Sequence, residues 1–240
     1  MKAVILAAGV GSRLRPLTDE TPKGLLPVAG RPMIDRALDA FAQSGIREAL
    51  VVTGHLADKI ESHLARSPLP CRCIYNPRYA TANNYYSLLV AERALGGSAF
   101  VKVDSDLVFC PDILERVLAQ RADLCLALDS GAELGAEQMK VQLDERGAVR
   151  AVSKELEPRS CAGESIGLEY VSADFARALF VELRRLDAEQ QMDAYYEDAY
   201  HRLAVTGAYD IRTTDVSGLR WAEIDDAVDL SAAQMSFGGP

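Results

Sequence analysis

Lys2-Ala3-Val4-Ile5-Leu6-Ala7-Ala8-Gly9-Val10-Gly11-Ser12-Arg13-Leu14-Arg15-Pro16 reads as a buried strand that breaks into a glycine loop, and Thr21-Pro22-Lys23-Gly24-Leu25-Leu26-Pro27-Val28 follows it closely. Gly9 and Gly11 let the backbone turn tightly and present N–H groups to an anion. Arg13, Arg15 and Lys23 supply the positive charge that a triphosphate needs. A strand feeding such a loop is how α/β proteins hold nucleotides, so Leu6, Ala7, Ala8, Gly9, Gly11, Ser12 and Arg13 are expected to line a nucleotide site. Two other phosphate loops fail on residue identity. A P-loop closes with Gly-Lys-Ser/Thr into a helix, whereas Gly11-Ser12 runs into Arg13 with Pro16 close behind. A dinucleotide loop needs G-x-G-x-x-G, and Leu14 stands at the third glycine position.

Outward from this loop, short apolar strands alternate with helical patterns. Helices are predicted from about 32 to 44, 54–64 and 85–95, and strands over 46–53, 71–75 and 99–103. A helix over 111–120 and a strand over 124–128 continue the series. This βαβ rhythm predicts a parallel sheet with right-handed crossovers and ligands at the strands' C-terminal ends. The rhythm then changes. Residues 140–143 and 149–152 flank the turn Asp144-Glu145-Arg146-Gly147 as a hairpin, and a strand over 166–171 follows. Helices over 173–186 and 195–204, a late strand at 221–224 and a C-terminal helix complete the chain. The expected fold is a single-domain, Rossmann-like α/β domain over residues 1–235. Its mixed, mostly parallel sheet is flanked by helices, with a hairpin and helix insertion over the acceptor side and a frayed tail at 236–240.

The 240 residues are 49% apolar and 25% charged, values that allow a substantial core. A net charge of −9 argues against a nucleic-acid surface, though a local basic cluster still serves one nucleotide. No leader and no apolar run of about 18 residues is seen, so no membrane contact and a cytoplasmic location are expected. The five cysteines, Cys71, Cys73, Cys110, Cys125 and Cys161, are an odd, scattered set and read as reduced core thiols.

The strand at 99–103 ends in Val103-Asp104-Ser105-Asp106, which puts two carboxylates into the cleft where the loop opens. Two acids so close repel, and Mg²⁺, which takes carboxylate, water and phosphate oxygens, would hold both ionised. A second acidic group, Glu223-Ile224-Asp225-Asp226, closes the late strand, and Asp226 is placed to cap the last helix.

The pattern L-A-A-G-x-G-S-R-L-x-P-L-T-x-x-x-P-K resembles the signature of the nucleotidyltransferases that activate sugar phosphates and phospho-alcohols, with their nucleotide-diphospho-sugar transferase-like fold. Tyr75-Asn76-Pro77-Arg78-Tyr79-Ala80-Thr81-Ala82-Asn83-Asn84-Tyr85-Tyr86-Ser87-Leu88 narrows the likeness to the phosphocholine-type cytidylyltransferases. The resemblance implies attack by an anionic phosphate or phosphonate oxygen on the α-phosphorus of CTP, with release of pyrophosphate. It assigns Arg13 to the β- and γ-phosphates, Lys23 to the α-phosphate and incoming oxygen, and the metal to Asp106 and Asp225. Asn83 and Asn84 have the donor and acceptor groups to read a base edge and equally suit a helix N-cap. Asp104 joins the nucleotide set. Lys154, Tyr86, Tyr195, Asp198 and Trp221 are the acceptor candidates beside Lys23. The expected acceptor is a small phospho- or phosphono-alcohol of the phosphocholine, 2-aminoethylphosphonate or inositol-phosphate type. A sugar 1-phosphate with UTP, dTTP or GTP is the alternative, and a non-catalytic nucleotide-binding homologue is a rival from another class. A cage tryptophan near Gln138-Met139, which phosphocholine enzymes tend to have, is missing. Monomer and dimer both remain open.

Overall fold

A computed structural model describes residues 1–238. Strand β1 (Lys2–Ala7) is followed by a short helix α1 (Leu17–Glu20), a two-residue hairpin of β2 (Pro27–Val28) and β3 (Arg31–Pro32), and α2 (Met33–Gln43). Next come β4 (Ala49–Thr53), α3 (Ala57–Leu64), β5 (Cys71–Tyr75), α4 (Asn84–Leu89), α5 (Glu92–Leu95), β6 (Phe100–Asp104), β7 (Leu107–Phe109) and α6 (Pro111–Ala119). The second half holds β8 (Leu124–Asp129), the hairpin β9 (Lys140–Leu143) and β10 (Val149–Ser153), β11 (Gly163–Val171), α7 (Ala173–Ala188) and α8 (Tyr196–Thr206). It ends with β12 (Ile211–Asp215), β13 (Trp221–Glu223) and α9 (Ala227–Phe237).

The central sheet runs β10-β9-β11-β6-β1-β4-β5, with β8 paired to β11 and β12 paired to β8. Strands β6, β1, β4 and β5 are mutually parallel, so their C-terminal ends open on one edge. The long β11 runs antiparallel to β6, β8 and β9 and turns the sheet from parallel to mixed.

Alternation along β1 divides the core. Val4 and Leu6 face a cluster with Tyr85, Leu88, Phe175, Leu179 and Tyr200, covered by α4, α7 and α8. Ala3, Ile5 and Ala7 face Ile34, Phe41, Ile60, Ile113 and Val117 from α2, α3 and α6. Strands buried on both faces read as near-continuous apolar runs, as residues 3–7 do. A third cluster of Leu14, Leu26, Val28, Met33, Val108, Ile224 and Ala233 joins the glycine loop to β7, β13 and α9. Its members neighbour Arg13, Asp106 and Asp225, so apolar packing fixes where the site's charges stand.

Several expectations needed correction. The helix expected over 85–95 is two short ones, α4 and α5, with Val90 and Ala91 between them. The strands β7 and β12 and the β2–β3 hairpin were not foreseen. Ser236 and Phe237, placed in a frayed tail, belong to α9. Arg36 and Arg220 lie 5.7 and 5.6 Å from the Phe237 ring, and that packing accounts for the order. Residues 239 and 240 of that tail lie outside the described residues. All five cysteines are free, but only Cys125 is buried; the other four are half-buried rather than core. Among the described residues, no helix is long and apolar enough to cross a membrane.

Candidate active site

The parallel strand ends open onto a cavity of 230 Å³ lined by Leu6, Ala7, Ala8 and Gly9 on one side and by Asp104, Ser105 and Asp106 on the other. Lys23, Asn83, Asn84 and Glu223 complete its charged and polar wall. The turn after β1 needs glycine at position 11. Its φ is +64°, and a Cβ there would stand 3.0 Å from Thr18 Cγ2 and 3.3 Å from Lys23 Cβ. Thr18 Oγ1 donates to the Gly11 carbonyl at 2.8 Å and ties the loop to α1.

Lys23 stands at the centre. Its Nζ donates to Asp106 Oδ2 at 2.6 Å and to Asp225 Oδ1 at 2.9 Å, and its side chain is 13% exposed. Burial alone would lower its pKa, but the charges of Asp106 and Asp225 outweigh that and hold the ammonium above its ordinary value. Arg13 reaches Asp225 Oδ2 at 2.9 Å from the solvent side. For Asp225, burial is opposed by Lys23 and then Arg13, and the balance leaves its carboxyl below the usual range.

Glu223 is the third acid. It is exposed as a residue, and desolvation of its carboxyl by the surrounding protein, followed by Asp106 and Asp225, pushes it up to about 8. Glu223 and Asp225 flank the fully buried Ile224, whose N–H donates to the Asp106 carbonyl at 3.1 Å. Alternate positions of an extended segment face the same way, which brings both carboxyls onto Asp106. Asp106, Glu223 and Asp225 each offer an oxygen within 4.8 Å of the others, and Asp106 Oδ1 is buried without a hydrogen-bond partner. An all-oxygen carboxylate set with one orphaned oxygen fits Mg²⁺ or Mn²⁺.

Asp104 separates this cavity from a second one of 120 Å³, lined by Glu137, Met139, Lys154, Glu164, Gly167 and Tyr195 among others. Asp104 Oδ2 accepts from Lys102 Nζ at 2.8 Å and from Tyr196 Oη at 2.7 Å. Lys102 is wholly buried and lies 3.1 Å from Glu169 Oε2 as well. Burial raises the Asp104 carboxyl, against the pull of Lys102. Gly167, at φ +79°, leaves room for this carboxylate: a Cβ there would lie 2.7 Å from Asp104 Oδ2.

Residues 3–203 match the MobA-like NTP transferase domain, over most of the chain. The chain belongs to that family. Among its relatives is the CMP-5'-(3-aminopropyl)phosphonate synthase of Streptomyces rubellomurinus, 29% identical over 248 residues; the match takes in 100% of this chain but 39% of that protein. The 2-aminoethylphosphonate cytidylyltransferase of Lancefieldella rimae is 28% identical over 237 residues, 96% of this chain and 90% of its own. The solved CTP:phosphocholine cytidylyltransferase of Streptococcus pneumoniae, LicC, shares the fold with a TM-score of 0.76 at 22% identity, covering 98% of this chain and 97% of that one.

The structure brings Leu6, Ala7, Ala8, Gly9, Lys23, Asn83, Asn84, Asp104 and Asp106 to the first cavity. Lys154, Tyr195 and Asp225 line the second, which Asn84 and Asp104 share. Gly11, Ser12 and Arg13 belong to the loop without lining either cavity, and Arg13 is instead paired with Asp225. Asn83 caps α4, with its Oδ1 accepting from Asn84 N at 2.8 Å. Asn84 Oδ1 accepts from Tyr196 N at 3.0 Å.

Three acceptor candidates fall elsewhere. Tyr86 packs beneath Arg78, whose Cζ lies 4.2 Å from its ring centroid. Asp198 closes a capping box by accepting from Tyr195 N at 2.7 Å. Trp221 packs against the core below the sheet and donates from Nε1 to Asp129 Oδ2 at 2.8 Å. None of the three lines either cavity. Glu164 and Lys102 were missed, as was Glu223 as a site residue. The i, i+2 spacing of Glu223 and Asp225 was the signal available for the last.

Proposed function

We propose that this chain is a cytidylyltransferase that joins CMP from CTP to a small phosphate or phosphonate acceptor and releases pyrophosphate. The observation that carries the reading is Lys23, held between Asp106, which lines the first cavity, and Asp225, which lines the second. In this reading the first cavity takes the nucleotide. The Gly9–Arg13 loop presents N–H groups and the Arg13 guanidinium to the β- and γ-phosphates, and Asn84, whose Nδ2 makes no hydrogen bond among the described residues, faces the base. The second cavity takes the acceptor.

An acceptor oxygen that is already anionic forms a bond to the α-phosphorus, the bond from that phosphorus to the α,β-bridging oxygen breaks, and pyrophosphate leaves with the electron pair. No general base is required. The three histidines agree with this: His55 contacts the Thr18 carbonyl, His63 pairs with Asp35, and His201 lies on α8. Catalysis then rests on alignment and charge neutralisation. Lys23 would leave its carboxylates to bridge the α-phosphate and the incoming oxygen. Asp106 and Asp225, with Glu223 beside them, would hold Mg²⁺, whose charge offsets that of the phosphates. An enzyme drawing on CTP is expected in the cytoplasm.

The test is pyrophosphate release with CTP, UTP, dTTP and GTP, each crossed with phosphocholine, 2-aminoethylphosphonate, inositol phosphate and glucose 1-phosphate. Release with CTP and a small phospho- or phosphono-acceptor is expected. Preferential release with UTP and glucose 1-phosphate, or no release with any pair, would overturn the reading.

A further inference from the structure

The second cavity is unevenly charged. Six carboxylates line it (Asp104, Glu137, Glu164, Glu197, Glu223, Asp225), against the single ammonium of Lys154. Most are accounted for. Asp104 is paired with Lys102, Asp225 with Lys23 and Arg13, and Glu137 with Lys154 at 3.5 Å. Glu223 belongs to the metal-type cluster, and Glu197, whose Oε2 is buried without a hydrogen-bond partner, lies within the field of Lys102 beside Glu169 and Asp104.

Glu164 stands outside both groups. It is 9% exposed and lines the cavity, and its carboxylate makes no hydrogen bond or ion pair among the described residues. The two lysines whose charges act on it are engaged elsewhere. Lys140 Nζ donates to the carbonyls of Gly135 at 2.6 Å and Gln138 at 3.2 Å, and Lys154 turns to Glu137 and the face of Tyr195. Asp129, opposite Glu164 on β8, adds repulsion, and its own oxygens are taken by Trp221 Nε1 and Gly131 N. A largely buried carboxylate that faces a cavity without a donor is costly to a fold, and burial, followed by Asp129, pushes it up to about 7. A fold that keeps such a group facing a cavity has left a place for a cation.

Resting on the functional reading above, we infer that Glu164 binds a primary ammonium at the far end of the acceptor, so that the substrate is a short zwitterion with phosphorus at one end and –NH₃⁺ at the other. A quaternary ammonium cannot donate hydrogen bonds and is held by aromatic faces. Here the face of Tyr195 is already covered by Lys154 Nζ, 5.2 Å from the ring centroid, and Tyr196 is 1% exposed with its hydroxyl committed to Asp104. A primary ammonium donates directly to a carboxylate, and such charge-assisted bonds are the strong ones. The cavity, at 120 Å³, is small and favours a short acceptor.

The experiment compares 2-aminoethylphosphonate, n-propylphosphonate (the same chain with a methyl in place of the ammonium) and phosphocholine. Turnover with CTP gives kcat/KM, and calorimetric titration of the acceptors into the protein gives Kd without needing turnover. The wild type should prefer 2-aminoethylphosphonate over each of the others by at least about 30-fold, and Glu164→Gln should shrink that ratio at least about 10-fold, mostly through KM. Glu164→Asp, which keeps the charge, should retain part of the preference and guards against a glutamine variant that folds poorly. Equal Kd for the amine and the methyl isostere, tighter binding of phosphocholine, or a preference untouched in a folded Glu164→Gln protein would overturn the inference. Failure to release pyrophosphate with any acceptor, alongside selective binding of the amine, would instead count against the transferase reading alone.

Discussion

Lys102→Met would remove a buried charge while keeping most of the side chain's volume. In the wild type Lys102 is 0% exposed and compensates Asp104 at 2.8 Å and Glu169, itself 0% exposed, at 3.1 Å. Deleting one partner of a buried pair costs roughly 3–5 kcal/mol, because the other charge is left stranded. The lower end is expected here. Burial, working against Lys102, already pushes the Glu169 carboxyl up to about 7, so without the lysine it escapes part of the penalty by taking a proton. For a domain of this size about 1 kcal/mol corresponds to roughly 2–4 °C, so the variant's Tm should fall by about 6–12 °C at pH 7. The deficit should widen between pH 6 and pH 8, as protonation of Glu169 becomes harder. Urea unfolding followed by circular dichroism on the wild type, Lys102→Met, Glu169→Gln and the double variant completes a cycle, and the double variant should regain at least about 1 kcal/mol over Lys102→Met. A loss below about 1 kcal/mol at pH 8, or a double variant no more stable than Lys102→Met, would refute the reasoning.

Glu197 makes a pH prediction. Burial, opposed by Lys102, pushes its carboxyl from 4.5 to about 8, so the folded protein keeps a proton that the unfolded chain releases, and stability is lost as pH rises from about 4.5 to about 8. Glu197→Gln should therefore match the wild type near pH 5 and exceed it at pH 8, by at most roughly 5 kcal/mol; thermal melts at both pH values check this, and a less stable variant at pH 8 contradicts it. Asp198→Asn should cost up to about 1 kcal/mol by weakening the α8 cap while leaving the acceptor KM within two-fold, since the side chain is bound to Tyr195 N; a ten-fold rise in that KM would return Asp198 to the acceptor site. Gly167→Ala should lower both Tm and kcat/KM, because its Cβ would meet Asp104 Oδ2 and the backbone sits at φ +79°; an unchanged melt would show that β11 relaxes there.

What could be read from the sequence followed the physics of each element. β1 was legible because a doubly covered strand reads as a near-continuous apolar run, and its glycine loop because position 11 combines a positive φ with no room for a Cβ. β12 was not legible: of Ile211-Arg212-Thr213-Thr214-Asp215 only Ile211 is buried, and the strand exists through parallel pairing with β8, which leaves little apolar pattern. The strand end pointed to Asp106 and the family resemblance added Asp225, and each lines a cavity, yet their meeting around Lys23, 202 residues from Asp225 in the chain, is a product of topology. Tyr86, Asp198 and Trp221 show the limit of that inference. Aromatic and acidic side chains look alike in sequence whether they face a cavity or a partner, and their partners here, Arg78, the Tyr195 N–H and Asp129, are revealed only by the fold. Glu164 escaped because a lone glutamate on a strand is ordinary until its lack of a partner is seen.

In the proposed function, the carboxylates around Lys23 form the centre for CMP transfer. The most direct measurement is single-turnover formation of a CDP-linked product from CTP labelled at the α-phosphorus, by the wild type and by Asp106→Asn, with circular dichroism to establish that the variant is folded. The label should move from CTP to the acceptor in the wild type, and the rate should fall by about 10²–10³-fold in the variant at any Mg²⁺ concentration. A folded Asp106→Asn protein that transfers the label within ten-fold of the wild-type rate would contradict the account.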